Sequence, residues 1–73
     1  MSMLYGETVV RRAETMKDEQ ERNRYMMKEI SKLEEALFKI EHMSKSLVVD
    51  EVRRLLNESI NVILEYSRRE RMK

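Results

Sequence analysis

From Met26 onward the large apolar residues repeat at intervals of 4, 3, 4 and 3: Met26, Ile30, Leu33, Leu37 and Ile40. That spacing holds one seam of an α-helix toward a partner helix, and Ala36, Phe38 and Met43 flank or widen it. A second apolar run is broader. At about 100° per residue, Val48, Val52, Leu55, Leu56, Ile60, Val62, Ile63 and Tyr66 cover one helix face. Asp50, Arg53, Arg54, Asn57, Glu58, Asn61, Glu65 and Arg68 fall on the other, with Leu64 the one large apolar residue among them. This face is wider than a coiled-coil seam. Ser59 sits in its middle, where a small hydroxyl bonds back to the preceding turn and lets a neighbouring helix come close.

Between the two runs, Met43-Ser44-Lys45-Ser46 is the one cluster that reads as a turn. Serine favours caps over helix interiors, so Ser46, or Ser44, is the expected N-cap of the second helix. Asp50 and Glu51 follow near its first turn, where exposed N–H dipoles favour negative charge. Asp50 with Arg54 and Glu65 with Arg69 are spaced for acid-first pairs four residues apart.

Upstream of Met26 the pattern weakens. Residues 17–24 carry no apolar side chain, and before them Val9, Ala13 and Met16 form a short stripe. It is rotated by about a quarter turn from the later seam at 3.6 residues per turn. The chain either continues as one helix through this stretch or breaks near 20–24. Helix-forming residues and the four-residue spacings Lys17–Glu21 and Asp18–Arg22 favour continuity. The expected fold is therefore all-α: a helical hairpin with a long first helix over 8–43, a shorter second helix over 47–70 and a turn at 44–46. Residues 1–73 form a single small helical domain in this reading, with 1–7 and 71–73 frayed. Its expected core is Ile30, Leu33, Leu37, Ile40, Val52, Leu55, Leu56, Ile60 and Ile63.

The two helices are unequal, about 54 Å and about 36 Å at 1.5 Å per residue. A lone hairpin leaves Val9, Ala13 and Met16 bare, and two helices cannot enclose stripes this wide. The expectation is a homodimer, a four-helix bundle in which the N-terminal extensions lie across the partner. Met26, Ile30, Leu33, Leu37, Ile40, Val52, Leu56 and Ile63 are the expected dimer or partner interface.

Composition agrees with such a bundle. The chain has 73 residues, 41% hydrophobic and 40% charged, with one Gly, no Pro and no Cys. Turn punctuation is almost absent, and no disulfide or Cys-based zinc site can staple so small a core. No apolar run approaches the roughly 20 residues that span a bilayer. The N-terminal Met-Ser-Met-Leu-Tyr-Gly lacks the basic start and apolar core of a secretory signal, so a cytoplasmic location is expected. Mixed charge on the polar faces argues against a membrane-surface helix. Of the seven methionines, Met26, Met27 and Met43 lie on or beside the first seam, with Met16 upstream. There their flexible thioethers serve as core filler or suit a surface that repacks around partners.

Chemistry is sparse. The single histidine, His42, follows Glu41, but adjacent residues point to different sides of a helix. Phe38 and Lys39 occupy the positions one turn back, so the Glu-x-x-His signature of di-iron helices is missing its Glu. No phosphate-binding Gly-rich loop and no serine paired with a base is present. No enzyme activity, cofactor, metal or small-molecule substrate is expected. Basic clusters at Arg11-Arg12 and at Arg68, Arg69, Arg71 and Lys73 are candidates for phosphate contact, although 15 Lys+Arg against 14 Asp+Glu leave a net charge of only +1.

The segment Met43-Ser44-Lys45-Ser46-Leu47-Val48-Val49-Asp50-Glu51-Val52 resembles the turn and second helix of ribbon-helix-helix DNA-binding proteins. The resemblance implies an N-terminal strand that pairs across a dimer and enters the major groove. Glu7-Thr8-Val9-Val10-Arg11-Arg12 is the stretch with strand character. The chain departs from the family in its long polar insertion before the first helix and in the absence of Gly from the turn.

The reading these residues favour is a non-enzymatic protein-interaction module: a small adaptor, chaperone-like partner or regulator, paired with itself and with another protein. The alternative is a small dimeric DNA-binding regulator that uses the two basic clusters.

Overall fold

A computed structural model describes residues 4–71. It contains three helices: α1, Tyr5–Glu14; α2, Glu19–Glu41; and α3, Leu47–Arg71. Among the described residues there is no strand. The break at the central turn falls where the sequence puts it. Ser46 caps α3, its Oγ accepting from the Val49 N–H at 3.1 Å while its carbonyl accepts from Asp50 N at 3.0 Å.

The long first helix expected over 8–43 is two helices. Asp18 ends the continuity: its carboxylate accepts from the backbone N–H of Gln20 at 2.9 Å and of Glu21 at 3.5 Å. A side chain that satisfies these orphan donors starts a helix and does not continue one. Glu19 and Glu21 add negative charge to the positive end of α2. Arg22, expected to pair with Asp18, instead donates through Nη1 to the Met16 carbonyl at 3.0 Å and lies 3.7 Å from Glu70. α1 thereby folds back onto the α2/α3 hairpin. It begins at Tyr5, inside the segment expected to fray, and α3 runs to Arg71; residues 1–3, 72 and 73 lie outside the described residues.

Fold-back wins over helix propensity because of what it covers. Val9 and Ala13, bare in an extended helix, become 1% and 0% exposed against Met26, Ile30, Leu33 and Ile63. Val10, Tyr25, Leu56, Ile60 and Tyr66 pack around this cluster. A ten-residue helix is marginal alone in water, and the Leu4 N-cap gives α1 no side-chain hydrogen bond. Packing therefore holds α1 in place. At the close approach expected beside Ser59, Gly6 lies against α3: a Cβ at Gly6 would stand 2.5 Å from the Ser59 carbonyl oxygen. Only a residue without a side chain fits there.

The resulting core is smaller than expected and lies toward one end. Ile30, Leu33 and Ile63 are buried as expected, and Met26, Val9 and Ala13 join them. Leu37, Ile40, Leu56 and Ile60 are half-buried. Val52 and Leu55, expected inside, are exposed, because α1 reaches only the half of the hairpin away from its turn.

Candidate interaction surface

The direction of α1 follows from its contacts. Gly6 meets Ser59, Val10 shares a shallow groove with Val62, Tyr66 and Arg69, and Met16, just beyond α1, reaches Arg22, which faces Glu70. α1 therefore runs parallel to α3 and antiparallel to α2. Its N-terminal end is fastened by Tyr5, whose hydroxyl donates to Glu29 of α2. The Glu29 carboxylate is buried and also faces Lys32 Nζ at 3.5 Å. That hydrogen bond, followed by burial, pushes the Tyr5 phenol up to about 12. Burial raises the Tyr66 phenol too, with the neighbouring Glu70 adding to the effect.

Helical periodicity extends the line along which α1 lies. On α3, Val52 precedes Ser59 by seven residues, Leu55 precedes Val62 by seven, and Val48 precedes Ser59 by eleven. On α2, Ala36 and Ile40 follow Glu29 by seven and eleven, and Met43 lies just past the helix, in the turn. Steps of seven and eleven return to the same helix face after two and three turns. The five helical positions thus continue the groove that α1 fills; Ala36 and Ile40 are half-buried there, while Val48, Val52 and Leu55 are exposed. Val48 is 72% exposed, Met43 59%, Leu55 39% and Val52 37%. Leu47, 88% exposed, lies beside them at the start of α3. A contiguous apolar strip of this kind marks an interaction site more often than scattered surface residues do.

The expected interface residues divide between the two halves. Met26, Ile30, Leu33 and Ile63 are buried inside the chain's own core, Leu37, Ile40 and Leu56 are half-buried, and Val52 is exposed in the open groove. Sequence reading did not single out Met43 and Val48 for this role. The place of Val48 on the line of α1 was hidden while α1 and α2 counted as one helix.

Charged residues pair along α2 and α3. Arg54 is held by Glu51 and, at 3.0 Å, by Glu58, and Lys39 lies 3.6 Å from Glu35. Asp50, expected to pair with Arg54, faces Arg53 at 3.9 Å instead. On the far side of α2, Phe38 meets the exposed His42 ring edge-on, with centroids 4.6 Å apart. No three acidic or histidine side chains converge to hold a metal among the described residues.

Because α1 runs parallel to α3, Arg11 and Arg12 come to the same end of the molecule as Arg68, Arg69 and Arg71, all five exposed. Glu65 binds Arg68 and lies 3.8 Å from Arg69. Lys73 lies outside the described residues. Glu7–Arg12 is helical within α1, so the N-terminal strand that a ribbon-helix-helix protein needs does not form.

No protein-family model matches this chain. No curated protein and no solved structure matches it either. No helix among the described residues is long and apolar enough to cross a membrane.

Proposed function

We propose that the chain is a non-enzymatic protein-interaction module: a small adaptor, chaperone-like or regulatory protein that acts as a homodimeric helical bundle. One observation carries the reading: the α2/α3 groove runs on, apolar and uncovered, past the end of α1. A two-helix hairpin offers its seam to any helix that completes a bundle, which is the helix-in-groove mode of recognition. Val52→Asp combined with Leu55→Asp tests it. Both side chains are exposed, so the fold should keep its helical circular dichroism, while self-association and capture of other proteins are lost through desolvation of two carboxylates. Unchanged association in the double variant sinks the reading.

A second reading is a DNA-binding regulator, favoured by the convergence of Arg11 and Arg12 with the C-terminal arginines at one end. Affinity for duplex DNA should then fall with salt at a log–log slope of about −0.9 per phosphate contacted. Reversing the charges of Arg11 and Arg12 should flatten that slope. Binding no tighter than roughly 10⁻⁴ to 10⁻⁶ M at physiological salt, the level of nonspecific contact, removes this reading.

A further inference from the structure

We draw no further inference here: the strongest candidate, the exposed apolar patch around Val48, Val52 and Leu55 at the turn end of the α2/α3 groove, carries nothing beyond the reading above because nothing in the structure shows what covers it.

Discussion

Val52 and Ile63 stand on one line of α3, eleven residues apart, and both are β-branched aliphatic residues. Ile63 is 0% exposed and Val52 is 37% exposed. Nothing in their own helix separates them. The difference is α1, which lies over the half of the groove that holds Ile63 and ends before the half that holds Val52. A hairpin seam is thus completed at one end by the chain itself and left incomplete at the other. Burial along an amphipathic helix is decided by how far the neighbouring element reaches, and the helix's own pattern does not show that reach.

The two residues should differ most when each is truncated under conditions where the chain is monomeric. Ile63→Ala removes a side chain enclosed by Val9, Ala13, Met26 and Ile30. It should cost about 2–5 kcal/mol, the usual range for a buried Ile to Ala change. Val52→Ala should lie within about 0.5 kcal/mol of the unmodified chain, as exposed positions do. Urea unfolding followed by circular dichroism measures both. Equal costs would mean that the two halves are equally packed. A Val52→Ala loss that grows with protein concentration would mean that the open half is covered by association.

The helical class, the central turn with its Ser46 cap, and the close approach at Ser59 were all legible in the sequence. The break before α2 was not, although its signal is present. Asp18 followed three residues later by Glu21, with Glu19 between them, is the pattern of a helix start. It competed with two four-residue pairings, Lys17–Glu21 and Asp18–Arg22, each worth only a few tenths of a kcal/mol. An N-cap contributes about 1 kcal/mol, so the cap was the stronger term. Burial of Val9 and Ala13 adds to it, and that depends on residues dozens of positions away. The Tyr5–Glu29 contact shows the same limit. No local rule joins residues 24 apart, and only the fold-back of α1 brings them together.

The smallest expected effect tests how α1 is held at its N-terminal end. Tyr5 must be protonated to donate to Glu29, and its phenol is raised from 10.0 to about 12 in the folded chain. Folding favours the protonated form, so this contribution is complete below about pH 10, the ordinary phenol value, and is lost as pH climbs through 12. Tyr5 is 48% exposed, so solvent screens the contact and the effect on stability is slight. It should still be visible by spectrophotometric titration of phenolate absorbance. The difference between the unmodified chain and Tyr5→Phe isolates one phenol, which should ionise near pH 12. Over the same interval the unmodified chain should lose a small part of its helical signal, corresponding to α1, while α2 and α3 persist. A difference curve centred near pH 10 would mean that Tyr5 is free of Glu29 in solution. The covered half would then depend on the packing of α1 and on the Arg22–Met16 contact, without a tether at Tyr5.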